Sequence, residues 1–91
     1  MTDFEPSLGV GIVTRNRLAI LRETIAELER LTTRPFTLVV ADDGSDDGTA
    51  NWVREAGTPL VTGPRRGCAW NKNRVLRHLA TRTGAEVFFL L

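Results

Sequence analysis

The sequence predicts an α/β fold in which helices cover both faces of an open parallel sheet, giving three α/β/α layers. Four short apolar segments alternate with three segments of helical periodicity, and the connections between them are short. A β-α-β-α-β-α-β order of this kind implies parallel strands joined by right-handed crossovers. With 91 residues and 42% hydrophobic content, residues 1–91 are expected to form a single small domain.

The first strand is predicted at Leu8–Thr14, which is short, apolar and β-branched toward its end, like strands buried on both faces. The spacing then becomes helical over Arg17–Thr32, and Asn16 is placed to cap this helix. The apolar stripe expected to pack on the sheet consists of Leu18, Leu21, Ile25, Leu28 and Leu31.

The second strand, Phe36–Ala41, runs directly into the acidic stretch DDGSDDGT at 42–49. We expect a short helix over Asp46–Ala56 after it, with Ser45 as its cap. Asp46 and Asp47 would then lie in the first helical turn, where the helix dipole favours anions.

The second half of the chain begins with a brief strand at Pro59–Thr62, and its proline favours an edge position because proline cannot donate to a ladder. A third helix is predicted at Cys68–Arg82, packing through Ala69, Leu76, Leu79 and Ala80. The fourth strand, Ala85–Leu91, is the most apolar, and the sequence stops inside it. We therefore expect the chain to be the N-terminal part of a longer protein.

Charge and cysteine content narrow the function classes. Twelve Lys and Arg against 11 Asp and Glu give a formal net charge of +1, which indicates no polyanionic partner. The basic residues between Arg65 and Arg82 spread around a helix, so nucleic-acid binding is the least favoured class. A single cysteine permits no internal disulfide, and no Cys and His cluster has zinc-ligand spacing. No run approaches the roughly 20 apolar residues of a membrane span, and we expect a cytoplasmic location.

Polar loops follow the first two strands, TRNR at 14–17 and DDGS at 42–45. In open parallel sheets, ligands bind outside the carboxyl ends of the strands. The two loops are therefore expected to form a binding site at one edge of the sheet.

Three motifs in this order and spacing carry a family resemblance: GIVTRNR at 11–17, VVADDGSDDGT at 39–49 and GCAWNKN at 67–73. They resemble the nucleotide-binding half of family 2 glycosyltransferases, which have the GT-A fold, over nearly the whole chain. The resemblance implies a Rossmann-like sheet with strand order 3-2-1-4. For the full-length protein it implies transfer of a sugar from a UDP-, TDP- or GDP-sugar to an acceptor hydroxyl, and we expect the 91 residues alone to be inactive.

The resemblance also assigns binding residues. Asp43 would accept the N3–H of a uracil or similar base, which suits an acceptor-only group, while Asp42 would shape the turn. Thr14 and Arg15 would lie around the base and ribose, where the Arg15 guanidinium replaces an aromatic of the family and can stack on a base. The further nucleotide-binding assignments are Asn16, Gly44, Gly67 and Lys72. On this interpretation two of the four carboxylates serve the ligand and two serve the second helix.

The start of the third helix combines backbone amides with Arg65 and Arg66, an arrangement that suits a diphosphate, and Lys72 is placed near it. Trp70 is expected to pack. The remaining basic side chains of this helix are expected to form an ordinary solvated face, and they are Arg74, Arg77 and Arg82.

The resemblance further implies a divalent metal, Mg²⁺ or Mn²⁺, which stabilises a diphosphate leaving group. In the family its Asp-x-Asp ligands follow the fourth strand, so they are expected after Leu91. No metal ligand and no catalytic residue is therefore assigned within the chain.

Two alternatives stay open from the residues themselves. A nucleotidyltransferase would need a glycine-rich phosphate loop after the first strand, and TRNR contains no glycine. A non-catalytic module of the response-regulator type would need an aspartate at the end of the third strand, where the chain has Thr62 and Gly63.

Overall fold

Four parallel strands form one sheet in the order β3-β2-β1-β4, which confirms the predicted order. The computed structural model describes residues 8–32, 35–63, 65–82 and 87–90. The strands are β1 Leu8–Thr14, β2 Phe36–Asp42, β3 Leu60–Thr62 and β4 Val87–Leu90, and the helices are α1 Leu18–Leu31, α2 Thr49–Glu55 and α3 Cys68–Arg82. β3 forms one edge, as the proline before it predicted. Of the predicted fourth strand, residues 85, 86 and 91 lie outside the described residues.

The register brings three strands to a common end. Thr14 of β1 pairs with Asp42 of β2, and Asp42 pairs in turn with Thr62 of β3. The loops that follow these strands therefore leave the sheet at the same level, which is the condition for a shared site at the carboxyl edge.

The sheet separates two hydrophobic cores, as the three-layer prediction requires. On one face Val40 packs with Leu21 and Ile25 of α1 and with Val53 of α2. On the other face Val39 and Ala41 pack with α3. The alternation along β2 thus assigns α1 and α2 to one side of the sheet and α3 to the other.

Two predicted packing stripes need correction. In α1, Leu21 and Ile25 are buried as expected, but Leu31 at the last turn is 65% exposed because it lies beyond the sheet-facing part of the helix. In α3, Ala69 and Ala80 are exposed. The fully buried residues of α3 are instead Asn71, Val75 and Leu79, which are spaced four apart along one face.

The second helix begins later than predicted. α2 starts at Thr49, after Gly48 in the left-handed region at φ 86°, and this N-cap position makes no side-chain hydrogen bond. The predicted Ser45 cap is therefore wrong, and Asp46 and Asp47 precede the helix. The physical reason is a competing set of hydrogen bonds, described below, that uses these side chains to connect loops.

Within the described part of the chain, no helix combines the length and the hydropathy that a bilayer span requires.

Candidate functional site

A cavity of about 370 Å³ opens at the carboxyl ends of β1 and β2. Its volume falls within the range of small-molecule pockets. The cavity is bounded by the β1–α1 loop, the end of β2 and the start of α3, so the predicted convergence of loops is present. Its lining consists of Val13, Thr14, Arg15, Arg17, Asp43, Gly67 and Asn71.

Asp43 occupies the cavity wall and also holds a neighbouring loop. The residue is 5% exposed, and the two oxygens of its carboxylate accept the backbone N–H groups of Arg66 at 3.0 Å and Gly67 at 2.8 Å. Its own backbone N–H donates to the carbonyl of Thr14 at 2.9 Å. Each carboxylate oxygen has two lone pairs, and among the described residues each accepts one hydrogen bond, so each oxygen has capacity for a second. The sequence motif did not reveal the loop-holding role.

Asp42 stabilises the turn and does not line the cavity. It is 2% exposed, its Oδ2 accepts the Ser45 backbone N–H at 3.2 Å, and its Oδ1 is hydrogen-bonded to the Ser45 hydroxyl. Its carbonyl accepts the N–H of Gly63 at 2.8 Å. The turn-shaping role matches the expectation, and the structure brings no part of Asp42 to the cavity lining.

Asn16 connects the first two loops instead of capping α1. Its backbone N–H donates to Ser45 Oγ at 2.8 Å, and its Oδ1 accepts the N–H of Asp46 at 2.7 Å. The residue preceding α1 is Arg17, which makes no side-chain cap. The Leu18 N–H at the start of α1 donates to a residue from the other loop, Asp47 Oδ2, at 3.0 Å. The predicted Asn16 cap is wrong because the asparagine is used between loops.

Asp47 thus stabilises α1 as well as the start of α2. Its Oδ1 accepts the Thr49 hydroxyl and, at 3.2 Å, the Thr49 N–H. The hydrogen bond from the Thr49 hydroxyl, followed by those from the Leu18 and Thr49 amides, lowers the pKa of the Asp47 carboxyl below its ordinary value. The carboxylate is therefore favoured in its charged form.

Arg65 attaches the β3–α3 loop to the β2–α2 loop. Its Nε donates to the Gly44 carbonyl at 2.9 Å, and its guanidinium pairs with Asp46. Gly44 has φ 78°, and a Cβ there would lie 2.6 Å from Arg65 Cγ and 3.2 Å from the Gly63 carbonyl oxygen. Only glycine fits this close approach. The Arg65 cation, which we expected near a diphosphate, is engaged by Asp46.

Asn71 is a site residue that the sequence did not identify. It is fully buried, its Nδ2 donates to the Ala41 carbonyl at 2.8 Å, and its Oδ1 has no partner among the described residues. A polar residue four positions before Val75 in the buried stripe of α3 was the available signal. Val13 and Arg17 also line the cavity without having been assigned, whereas the predicted ligand Lys72 is exposed and outside the lining.

Trp70 lies between two basic side chains on α3 and the preceding loop. The guanidinium carbon of Arg74 is 4.7 Å from the ring centroid, and that of Arg66 is 5.5 Å away. Arg74 Nη1 is buried and has no partner in the described part of the chain. The prediction of a purely solvated face is therefore wrong for Arg74, which covers the indole, whereas Arg77 and Arg82 are exposed as expected.

Among the described residues, no group of three or more His, Cys, Asp and Glu side chains has an arrangement that could hold a metal ion. The four clustered carboxylates are each engaged by protein groups, and they are Asp42, Asp43, Asp46 and Asp47. The donor set of the described residues therefore does not fit a metal site, and we derive no metal-dependent step from them.

Comparison with known proteins gives a consistent result. The model of the family described as "Glycosyl transferase family 2" matches residues 9–89. Two curated relatives are validoxylamine A glucosyltransferases of Streptomyces hygroscopicus, subspecies limoneus and jinggangensis, with 49% and 47% identity over 55 residues. Those residues are 58% of this chain but 12% and 13% of the relatives, so the match covers a small part of their length.

Two solved structures are similar in fold. A mannosyltransferase from Pyrobaculum calidifontis, in complex with GDP-Man and Mn²⁺, has a TM-score of 0.74 and 29% identity over 82% of this chain and 25% of its own. Glucosyl-3-phosphoglycerate synthase from Mycobacterium tuberculosis, in complex with Mn²⁺, UDP and glucosyl-3-phosphoglycerate, has a TM-score of 0.67 over 94% of this chain and 33% of its own. At 20% identity the second similarity concerns the fold alone.

Proposed function

The chain belongs to glycosyl transferase family 2, and we propose that its 91 residues form the N-terminal nucleotide-binding domain of a longer enzyme. That enzyme transfers a sugar from a nucleotide-sugar donor to an acceptor hydroxyl. The family match favours this interpretation over the nucleotidyltransferase and response-regulator alternatives. The observation that carries the proposal is the position of Asp43, a buried carboxylate with free acceptor sites in the wall of a cavity at the carboxyl edge of the sheet.

The cavity lining supports the following roles. Asp43 accepts an N–H group from the base, since an ionised carboxylate can only accept hydrogen bonds. Val13 supplies an apolar surface for the base, and the exposed Arg15 is free to stack on its other face. Thr14 and Gly67 also line the cavity.

The other assigned residues act less directly in this proposal. Asn16, Asp42 and Gly44 hold the loops that present Asp43 and Arg15. Lys72 is exposed on α3 and would reach the diphosphate only as a flexible point charge. We keep it as a proposed contact of the diphosphate.

A divalent metal is part of the proposed full-length enzyme. Both structural neighbours hold Mn²⁺, one with GDP-Man and one with UDP. Such an ion neutralises the negative charge that develops on a departing diphosphate. We propose that its ligands follow Leu91, that the 91 residues alone do not catalyse transfer, and that the enzyme works in the cytoplasm.

The binding test is a calorimetric titration of the full-length protein with UDP, TDP and GDP in the presence of Mn²⁺. We expect saturable binding of at least one of them and a loss of about tenfold or more in affinity for Asp43→Ala, since hydrogen bonds to charged groups contribute about 1.5–3 kcal/mol. Glu55→Ala is the control, because Glu55 is an exposed carboxylate of α2 outside the cavity lining. It should bind like the wild type.

Because Asp43 also holds a loop, amide NMR shifts of Arg66 and Gly67 in Asp43→Ala will reveal any movement of that loop. Asp43→Ala binding with wild-type affinity would contradict the role of the carboxylate. No binding of any of the three nucleotides would contradict the proposed function.

The catalytic part of the proposal is tested by a radiolabelled sugar-transfer assay. The full-length protein with Mn²⁺ is expected to turn over, and the 91-residue chain is expected to show none. Robust turnover by the 91 residues would refute the assignment of catalysis to the rest of the protein.

A further inference from the structure

We propose that Arg74 and Trp70 are positioning residues that hold the Asp43 carboxylate where it accepts an N–H of a nucleotide base. The inference rests on the proposed function, since it concerns how the cavity presents Asp43 to the base. Arg74 and Trp70 are not part of the cavity lining, whereas Asp43 is. Their effect on a ligand therefore passes through Asp43.

Gly63, the residue that follows β3, makes a close approach between these side chains possible. The space that a Cβ of Gly63 would occupy is filled by three atoms. They are Arg74 Nη1 at 2.7 Å from that position, Trp70 Cζ3 at 2.9 Å and Asp43 Oδ1 at 3.2 Å. All three distances are shorter than an ordinary van der Waals contact, so the position has no room for a larger residue. The glycine therefore allows α3 to bring an arginine and a tryptophan up to the carboxylate.

Arg74 brings a positive charge to this point. Its Nη1 is buried without a hydrogen-bond partner among the described residues, and its guanidinium carbon lies 4.7 Å from the centroid of the Trp70 ring. From the distances above, Nη1 and Asp43 Oδ1 are no more than about 6 Å apart, where opposite charges attract in a partly buried setting. The attraction therefore favours the observed placement of Oδ1.

The same carboxylate oxygen connects Trp70 to the loop before α3. Asp43 Oδ1 accepts the backbone N–H of Arg66 at 3.0 Å, and the Arg66 guanidinium carbon lies 5.5 Å from the centroid of the Trp70 ring. Trp70 thus contacts two arginines: Arg66 bonds Asp43 through its backbone, and the Arg74 side chain approaches the same oxygen. Without the indole, both arginines lose an aromatic surface that fixes them.

A carboxylate fixed in this way binds a base better than a mobile one. The χ2 torsion of aspartate is broad, so its oxygens are oriented by their surroundings. Two loop amides fix the Asp43 carboxylate, and Arg74 and Trp70 pack beside its Oδ1. Binding then requires less ordering of the acceptor, which is the advantage of a preorganised site. We therefore expect changes at Arg74 and Trp70 to weaken the hydrogen bond between Asp43 and the base.

The first test isolates that hydrogen bond. Calorimetry of the full-length protein with Mn²⁺ compares UDP and TDP with their N3-methyl analogues, and GDP with its N1-methyl analogue, each of which lacks the N–H donor. For the nucleotide that binds most tightly, we expect the wild type to prefer the parent over its analogue by about tenfold or more, because the bond is made to a charged group. A wild-type ratio near one would overturn the inference and leave nucleotide binding itself intact.

The second test changes Arg74. Arg74→Leu is expected to lower the ratio of parent to analogue affinity by about threefold or more, whereas Arg74→Lys retains the positive charge and should keep most of the ratio. Arg77→Leu is the matched control, because Arg77 is exposed on the same helix and outside the cavity lining, and it should keep the full ratio. An unchanged ratio in folded Arg74→Leu would refute the role of Arg74.

Trp70 is tested in the same way. Trp70→Leu removes the ring that contacts Arg66 and Arg74 and should lower the ratio, while Trp70→Phe retains an aromatic face and should restore it. Amide NMR shifts of Arg66 and Gly67 report whether their hydrogen bonds to Asp43 move in each variant. Equal ratios in Trp70→Leu and the wild type would refute the role of Trp70.

The affinity ratio separates positioning from a general loss of structure. A merely structural defect weakens the parent nucleotide and its analogue equally, so the ratio does not change. If Trp70→Leu does not fold, Arg74→Leu and the wild-type comparison still decide the inference. A protein that binds none of the three parent nucleotides contradicts the proposed function itself.

Discussion

Two regions at the carboxyl edge of the sheet differ in whether their polar groups have hydrogen-bond partners. The joined loops, residues 14–18 with residues 42–49, satisfy one another: Asn16 bonds Ser45 and Asp46, and Asp47 bonds Leu18. The start of α3, residues 66–74, holds two buried polar atoms without partners in the described structure, on Asn71 and Arg74.

The difference separates a network whose polar groups are paired from a segment that holds unpaired buried polar atoms. A satisfied network fixes two loops without a ligand, whereas each buried unpaired polar group costs about 1–3 kcal/mol until something completes it. Asp43 belongs to both parts, because its backbone N–H bonds Thr14 while its carboxylate bonds the amides of Arg66 and Gly67. Asp43 therefore connects the joined loops to the start of α3.

The largest loss of stability is expected for a substitution at Gly44, within the joined loops. Gly44→Ala should lower the free energy of unfolding by about 3 kcal/mol, from the left-handed backbone and the contacts with Arg65 and Gly63. Gly48→Ala is the matched control, since Gly48 has φ 86° but nothing within 4 Å of a Cβ, and should cost only about 1–2 kcal/mol. Urea denaturation measures both. Equal losses would mean that the approach of Arg65 to Gly44 contributes nothing.

The next largest loss of stability is expected when one hydroxyl is removed from the hydrogen-bond network of the joined loops. Ser45→Ala deletes the acceptor of the Asn16 N–H and the partner of the buried Asp42 carboxylate, and should cost about 1–2 kcal/mol in urea denaturation. Thr24→Val removes a hydroxyl that, among the described residues, bonds only the Ile20 carbonyl of its own helix, and should change stability by less than about 0.5 kcal/mol. A Ser45→Ala loss no greater than that of Thr24→Val would show that the network does not stabilise the fold.

Features that depend on hydrophobic periodicity were predicted correctly from the sequence. Hydrogen bonds between side chains and distant loops were not. The strand order, the three layers and the common strand ends follow from hydrophobic patterns and from the family motifs. The caps predicted at Asn16 and Ser45 were wrong because helix-start statistics consider only nearby backbone, whereas these side chains bond residues 29 or 30 positions away. Asn71 was missed because its burial depends on how α3 meets β2.

A smaller contribution to stability, from Asp47, is expected to depend on pH. Because the pKa of Asp47 is lowered in the folded protein, its carboxylate contributes stability above the unfolded pKa, and this contribution is lost as pH falls through the folded pKa. Wild type should therefore exceed Asp47→Asn in urea midpoint at pH 7, and the two midpoints should converge once the pH falls below the lowered pKa of Asp47 in the folded protein. Glu55→Gln, an exposed carboxylate of α2, is the control and should follow the wild type. A midpoint difference that is constant with pH would exclude the carboxylate's charge as its cause.

The smallest change in stability is expected at Arg74, which carries one of the two unpaired buried atoms. Arg74→Leu removes a cation–π contact with Trp70, worth about 0.5–1 kcal/mol, but it also removes a buried N–H without a partner, so the two changes nearly cancel. Urea denaturation should place the variant within about 0.5 kcal/mol of the wild type. Arg65→Leu removes an arginine whose donors are satisfied by Gly44 and Asp46, and its loss should be the larger of the two. If Arg74→Leu is instead the more damaging, the start of α3 is as fully satisfied as the joined loops, and the contrast between the two regions does not hold.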